Sequence, residues 1–426
     1  MVTRSNKTIK NENTIQIRMY NVGFGDCILV RIPTKNGMRK ILFDCGTICA
    51  SPDISIEMIV KQIIKDVTEM DEVPVIDVIV ATHRHRDHVS GFGNPNWNKV
   101  RVKEIWMPWT EDPADAEAKI IRDTQARLAE ILLASIRKGA LIADSTKKYN
   151  ALRELAKNEI TNERAMQLLH EGFNGSSDCD GIRRLFLPKL KDEDRILKTD
   201  ALPGVKAHII GPSRDKDVIK DMNPPLGESY FQLRQTQLKN GEIPFPFPKQ
   251  WNVSCGDYEL KAGRGVWPKL GKDDRRWIEK AGGDIDSAIA VALDKAINGT
   301  SLMVVLEIGN AYLLFPGDAQ WGTWKAALSN PYSKKLLEKI RFYKVSHHGS
   351  NTGTPKEFID EYLSPNVIAM VSTLSTKHWP NIPRKALIDS IQKRNVPIAR
   401  SDEMKKIEDP FVSRNAFSID VAIPLK

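Results

Sequence analysis

Residues 82–88, with the sequence Thr-His-Arg-His-Arg-Asp-His, constrain the fold of this 426-residue chain more than any other segment. They follow the run 75–81, which is almost entirely apolar and β-branched, as is typical of a strand covered on both faces. A loop that leaves a rigid strand holds its side chains around one point, and imidazole and carboxylate groups are ligands of zinc and similar divalent ions. The segment therefore predicts a metal site. Its four candidate ligands are His83, His85, Asp87 and His88.

Other candidate ligands stand just beyond the carboxyl ends of further predicted strands. Asp44 and Asp318 each follow an apolar run of strand type, and so does the adjacent pair His347 and His348. His378 follows the last such run. Because ligands at the ends of several strands of one sheet meet at one edge, these side chains are expected to share a cleft with the histidine-rich segment.

The order of predicted elements is that of an α/β protein whose core is split in two. Strand and helix patterns fill residues 14–107 and resume at 298–426, where the turn Gly-Asn joins two strands in a hairpin. The intervening residues 108–297 carry two helical patterns and a proline-rich run, Pro-Phe-Pro-Phe-Pro. We interpret residues 1–426 as one domain with a large, mainly helical or irregular insertion at 108–297, whose role and protein partner are unknown.

Composition narrows the class of protein and its compartment. The five cysteines form no Cys-x-x-Cys pair, so neither a disulfide framework nor a thiolate zinc cluster is expected, and a reducing, cytoplasmic location fits. No apolar run approaches the roughly 18 residues that a membrane span requires, so no membrane partner is expected. The 63 Lys and Arg against 54 Asp and Glu give a formal net charge of +9, which favours an anionic partner such as nucleic acid.

The motifs together resemble a known superfamily. His-x-His-x-Asp-His at 83–88, Asp-Cys-Gly at 44–46, Gly-Asp-Ala at 317–319 and His-His-Gly-Ser at 347–350 are similar to those of the metallo-β-lactamase superfamily of binuclear metallohydrolases. With the Val-Gly-x-Gly-Asp turn at 22–26, the closer resemblance is to the C-terminal domain of ComEC-type DNA-uptake competence proteins. The resemblance implies an αββα sandwich with its site at one edge of the two sheets.

The resemblance also implies a role for each candidate residue. The implied metal ligands are His83, His85, Asp87, His88, Asp318, His347 and His378. Asp318 would bridge two metal ions. His348 would face the substrate and act in catalysis together with Asp87 and Asp318, although the sequence does not decide which residue of the pair His347 and His348 is the ligand.

Further side chains are expected around these ligands. Asp26 and Asp44 are placed to orient ligand imidazoles from behind rather than to bind metal themselves. Ser350 and Asn351 follow the histidine pair and, with Arg84, are the candidate contacts for an anionic substrate.

The implied cofactor is a pair of divalent metal ions. Zinc is favoured and manganese is compatible, because the motifs supply imidazole and carboxylate groups but no thiolate. Metal binding lowers the pKa of water from 15.7 to about 7, so a metal-bridging hydroxide exists near neutral pH. The leading hypothesis is therefore a metal-dependent phosphodiesterase, of nuclease type, that acts on nucleic acid or nucleotides.

Two other functions stay open at this point. Hydrolysis of an ester, thioester or lactone would use the same metals with an apolar pocket floor, for which Trp106, Trp109 and Trp379 are candidates. A non-catalytic binding protein would keep the metals for stability and use the inserted region as its partner surface.

Overall fold

The computed structural model describes residues 13–69, 72–140, 162–173, 181–189, 195–221, 224, 293–376 and 381–425. These residues form two mixed β-sheets that face each other. The candidate ligand His378, part of the second predicted helix and the proline-rich run lie outside the described residues.

The first sheet has eight strands. They are β1 (Thr14–Tyr20), β2 (Ile28–Thr34), β3 (Gly37–Phe43), β4 (Val75–Val80), β5 (Arg101–Pro108), β6 (Arg183–Leu187), β14 (Phe411–Arg414) and β15 (Ser418–Pro424). Their order across the sheet is β14-β15-β1-β2-β3-β4-β5-β6. β3 and β4 are parallel, so their carboxyl ends lie at the same edge.

The second sheet has seven strands. They are β7 (Ile196–Leu197), β8 (Val205–Gly211), β9 (Met303–Ile308), β10 (Ala311–Phe315), β11 (Ile340–Lys344), β12 (Ile368–Val371) and β13 (Ile398–Arg400). Their order is β13-β12-β11-β10-β9-β8-β7, and β10 to β13 are parallel to one another. β9 and β10 form the hairpin predicted from the Gly-Asn turn, which is confirmed.

Helices cover the outer faces of both sheets. Among the α-helices of the described residues are α1 (Ile56–Val67), α2 (Arg86–Val89), α3 (Ala116–Ala140), α4 (Glu163–Glu171), α5 (Lys216–Lys220), α6 (Trp321–Ser329), α7 (Pro331–Leu337) and α8 (Lys385–Lys393). α1 begins where the Ser55 hydroxyl accepts the Met58 N–H, as a helix start requires. In the part of the chain described, none of these helices is long and apolar enough to cross a lipid bilayer.

The hydrophobic core lies in three layers that follow from strand alternation. Side chains such as Ile17 from the first sheet and Leu313 from the second fill the space between the sheets. Alternate residues such as Leu42 pack outward against α1, and Leu314 packs outward among residues of α6 and α8. The order helix, sheet, sheet, helix confirms the expected αββα architecture.

The region 108–297 contributes more to the sheets than its interpretation as an insertion implies. β6, β7 and β8 all lie within it, and they extend one edge of each sheet. β6 begins with Arg183 and Arg184, and β7 has only two residues, so neither shows the apolar alternation by which strands are found in a sequence. Their pairing with longer strands decides their structure.

Two glycines permit the close packing that brings the strand ends of the site together. A Cβ on Gly46 would lie 2.5 Å from backbone atoms of Arg86, Asp87 and His88. Gly317 has a φ of 54°, and a Cβ there would lie 2.9 Å from the Cβ of Thr82, which belongs to the opposite half of the sandwich. The histidine-rich loop is therefore in close contact with Gly46 on one side, through its backbone, and with Gly317 on the other, through the side chain of Thr82.

We predict that Gly46→Ala displaces the 86–88 backbone, because the added methyl group meets main-chain atoms that have no flexible end to move. The expected loss of stability is about 1–3 kcal/mol. Thermal unfolding measures it, with Gly93→Ala as the control, because a Cβ on Gly93 would meet nothing closer than 3.9 Å. Equal melting temperatures for the two variants would contradict the prediction.

Candidate metal centre

Asp44 organises the start of the histidine-rich loop. It follows β3 in a left-handed conformation, with a φ of 53°, and its carboxylate accepts the Thr82 N–H at 2.7 Å and the Thr82 hydroxyl at 2.8 Å. The same carboxylate lies 2.8 Å from Nδ1 of His88. An Nδ1–H that donates to a carboxylate fixes the orientation of the ring and directs Nε2 to the opposite side, as in metal-ligating histidines. These distances are the ones that the predicted orienting role of Asp44 requires.

Two imidazoles and two carboxylates converge in front of His88. Its Nε2 lies 3.2 Å from Oδ2 of Asp318, and Nε2 of His348 lies 3.1 Å from Oδ2 of Asp87 and 3.5 Å from Oδ2 of Asp318. Asp87, His88, Asp318 and His348, here called the ligand group, are all buried, and one ligand atom from each lies within 4.8 Å of the others. The two sheets supply two residues each, although these residues are 230 positions or more apart between the pairs.

His83 and His85 adjoin the ligand group. Nε2 of His83 lies 3.0 Å from Nδ1 of His85, and the ring centroid of His83 lies 4.0 Å from that of His88. Both side chains are buried. Three predicted ligands of the loop therefore lie side by side, with the rings of His83 and His85 edge to face and those of His83 and His88 tilted.

Of the pair His347 and His348, His348 lies in the interior and His347 lies at the partly exposed edge of the site, here called the rim. Both residues adopt a left-handed backbone conformation, with φ of 49° and 51°, which places successive side chains in different directions. His348 is buried in the ligand group, whereas the side chain of His347 is 18% exposed and its Nε2 lies 3.9 Å from Asp318. The distances favour His348 as the ligand and His347 as the rim residue, which is the reverse of the order preferred from the sequence.

Asp26 lies behind the imidazoles, on the side away from the ligand group. Its carboxylate is 3.6 Å from Nδ1 of His348 and 3.7 Å from Nδ1 of His88, and its backbone N–H donates to the Asp87 carbonyl at 2.8 Å. Nδ1 of His348 also lies 2.9 Å from the Ser372 carbonyl, which accepts its proton. Asp26 and Asp44 thus both stand where they orient ligand rings.

Lys344 is a site residue that the sequence analysis missed. It is the last residue of β11 and is 2% exposed, and its ammonium group forms an ion pair with Asp26 and lies 3.8 Å from Oδ1 of Asp318. The only signal in the sequence is a lysine within the largely apolar run Phe-Tyr-Lys-Val at 342–345, three positions before the His-His-Gly-Ser motif. A buried lysine needs a partner of opposite charge, and this one has two within reach.

The imidazoles and carboxylates of the ligand group stabilise one another in their charged forms. Burial alone opposes protonation of His88 and His348, but the Asp318 carboxylate and its acidic neighbours raise the pKa of both imidazoles. Burial likewise opposes ionisation of Asp87 and Asp318, but the imidazoles, His88 first, lower the pKa of both carboxyl groups well below their usual range. A divalent cation would displace the protons from the imidazoles and would supply the positive charge that the same carboxylates face.

The pKa values of His83 and His347 are shifted downward, in the opposite direction to those of His88 and His348. Burial lowers the pKa of His83 well below its ordinary value, and the neighbouring histidines His88 and His85 lower it further. Burial also lowers the pKa of His347. Both are therefore neutral imidazoles near neutral pH, which is the form that binds a metal ion.

The predicted substrate-binding residues lie at varied distances from the ligand group. The guanidinium of Arg84 is paired with the buried Glu111 at 2.9 Å. Ser350 is buried and its hydroxyl lies 3.4 Å from that of Thr352, while Asn351 is half-buried beside it. Ser350 and Asn351 adjoin the rim residue His347, whereas the charge of Arg84 is already matched by a protein carboxylate.

The donors of the ligand group fit a divalent cation. Nε2 of His88, Oδ1 of Asp87 and Oδ1 of Asp318 are buried and have no hydrogen-bond partner among the described residues. Buried polar atoms without partners are costly, so a native fold that retains several at one point has a group that satisfies them. Nitrogen and oxygen donors without sulfur suit zinc and manganese alike.

No protein family profile matches the sequence, and no curated protein matches it at a significant level. Among solved structures, the chain is similar to Zn²⁺-bound PqqB from Methylobacterium extorquens, with 10% sequence identity and a TM-score of 0.36. The similarity covers 90% of this chain and 97% of that one. At this distance it assigns no activity, so the function has to follow from the residues of the site.

We predict a specific pH dependence for the stability of the metal-free protein. Folding raises the pKa of His88 and His348 above 6.5, so their stabilising contribution is complete below about pH 6.5 and is lost as the pH rises through the raised values. Asp318→Asn removes the first carboxylate that raises both, and the alkaline loss should shrink. Urea unfolding with a chelator between pH 6 and 9 measures this, and parallel curves for the two proteins would contradict it.

We predict a structural role for Arg84 that is separable from substrate binding. Burial opposes ionisation of Glu111, but Arg84 and then His170 lower its pKa to about 2, so Arg84→Met would remove the first of the two groups that stabilise this buried charge. The expected cost is about 3–5 kcal/mol of unfolding free energy. The paired variant Arg84→Met with Glu111→Gln should recover most of it in denaturant titrations. No recovery would show that the ion pair is not the cause.

Proposed function

We propose that this chain is a metal-dependent hydrolase. The observation that carries the proposal is the ligand group, in which two imidazoles and two carboxylates from both sheets converge in the interior, with three donor atoms unpartnered. His83 and His85 adjoin this group and extend the set of imidazole donors. We propose that these residues hold two divalent ions, zinc first and manganese as the alternative.

The chain's own residues supply the orientation that such chemistry requires. When bound, divalent ions act as Lewis acids and lower the pKa of a water ligand. Asp44 and Asp26 hold the imidazoles from behind, so the ligands do not have to reorganise when a metal binds. His347 is neutral by its lowered pKa and 18% exposed beside Asp318, and we place the entry of the substrate at this rim.

We propose a phosphodiester as the substrate, in nucleic acid or in a nucleotide. The support is the formal net charge of +9, which favours an anionic partner, and the resemblance of the motifs to those of DNA-uptake competence proteins. An ester substrate would need an apolar pocket floor, and the two tryptophans that are candidates for it among the described residues do not line a pocket. Trp106 and Trp109 are both 1% exposed and packed in the interior, and Trp379 lies outside the described residues.

We predict that the metal-loaded protein cleaves a phosphodiester and that Asp318→Asn abolishes this activity. Asp318 would be one of the carboxylates that hold the cations, and loss of such a ligand costs several kcal/mol, so kcat should fall at least about 100-fold. Asp389→Asn is the matched control, because Asp389 is a surface acid paired with Lys385. The substrate panel is single-stranded DNA, RNA, a cyclic nucleotide and a carboxylic ester, each with zinc and with manganese.

The outcomes separate the competing functions. Cleavage of the ester alone would replace the phosphodiesterase proposal by the esterase one. Stoichiometric metal binding without hydrolysis of any substrate in the panel would favour a metal-stabilised binding protein. Absence of bound metal after reconstitution, with the fold intact, would overturn the proposal altogether.

A further inference from the structure

Behind the ligand group lies a second set of donors that is itself arranged like a cation site. One ligand atom from each of Asp26, Asp44 and His88 lies within 4.8 Å of the others, and we call these three residues the rear group. All three are buried, and Oδ1 of Asp26 has no hydrogen-bond partner among the described residues. Two buried carboxylates of this kind require a compensating positive charge.

Lys344 supplies a positive charge at this place. Its ammonium group forms an ion pair with Asp26 of the rear group and lies 3.8 Å from Asp318 of the ligand group. The three residues come from different parts of the fold, since Asp26 precedes β2 in one sheet, whereas Lys344 ends β11 and Asp318 follows β10 in the other. The lysine therefore lies between the two groups of acids and links the two sheets.

The burial of Lys344 indicates that its surroundings accommodate a positive charge. Its long side chain is 2% exposed and its ammonium group does not reach solvent, although lysine is among the residues least often buried. A neutral residue would fill the same space without loss of hydration. The retention of a charged group in the interior is explained by the carboxylates that it faces.

We propose that Lys344 is a positioning residue that stands in for a metal ion at the rear group and thereby confines the divalent ions to the ligand group. The lysine neutralises Asp26 and keeps its carboxylate turned away from the metals, and it holds Asp318 from one side. His88 is then free to use Nδ1 toward Asp44 and Nε2 toward the metal. This proposal rests on the proposed function in one respect, namely that the ligand group binds metal.

The test is the number of divalent ions that the reconstituted protein holds. Lys344→Met keeps the length of the side chain and removes its charge, so the rear group should accept one further Mn²⁺ per chain. Equilibrium dialysis with elemental analysis measures the number, and electron paramagnetic resonance detects the additional Mn²⁺ close to the others. Lys344→Met with Asp26→Asn removes both charges of the pair, and it should return the number of bound ions to the wild-type value.

A second buried lysine provides the control. Lys40 is 7% exposed, and its ammonium group binds Glu69 at 2.6 Å and the Val67 carbonyl at 3.1 Å, with no site residue among these partners. Lys40→Met should lower the melting temperature and leave the number of bound ions unchanged. If the role of Lys344 is only structural, Lys344→Met should likewise lower the melting temperature and leave the number of bound ions unchanged.

Every outcome bears on the proposal. A wild-type number of ions in Lys344→Met, or a loss of metal that the paired variant does not restore, would overturn it. If Lys344→Met does not fold, the paired variant decides: folding with the wild-type number supports the proposal, and failure to fold or a lower number overturns it. A wild-type protein without bound metal would instead mark the failure of the proposed function.

Discussion

The rest of the site depends on the hydrogen bonds that the Asp44 carboxylate forms with Thr82 and His88. One carboxylate, placed by a left-handed residue at the end of β3, fixes the start of the histidine-rich loop through Thr82 and the ring of its last histidine. The Thr82 carbonyl in turn accepts the N–H of Leu302 at 2.8 Å, just before β9. The loop is therefore tied to both sheets before any ligand is considered, and its imidazoles point at Asp318 as a consequence.

Four buried carboxylates around two imidazoles would be unstable without internal compensation. The structure arranges them so that each negative group faces a positive or protonatable one: Asp44 and Asp318 face His88, Asp87 faces His348, and Asp26 faces Lys344. Such pairs are expensive to bury and are seldom the cheapest way to stabilise a core. Their concentration at one edge of the sandwich is characteristic of a functional site, where the geometry of the donors matters more than stability.

Part of this arrangement could be predicted from single residues and their spacing. The ends of β3, β4, β10 and β11 were recognisable because apolar runs stop at a turn that carries Asp or His, and these ends do meet. The edge strand β6 escaped prediction because its arginines hide the alternation, and its structure is decided by pairing with β5. Lys344 escaped because a lone lysine at a strand end is most often a solvated one, and only the packing of Asp26 against it reveals that it is buried.

The sequence by itself determined which chemistry is available, because imidazole and carboxylate side chains at strand ends have few other uses than to bind a cation and exchange protons. The αββα order was implied by the resemblance of the motifs to a known superfamily, and the two facing sheets confirm it. Only the tertiary structure decided how these groups are assigned: that His348 lies inside and His347 at the rim, that Arg84 is matched by Glu111, and that Lys344 stands between the acids. These assignments depend on distances between residues remote in the chain, which the approach of the two sheets sets and local sequence does not encode.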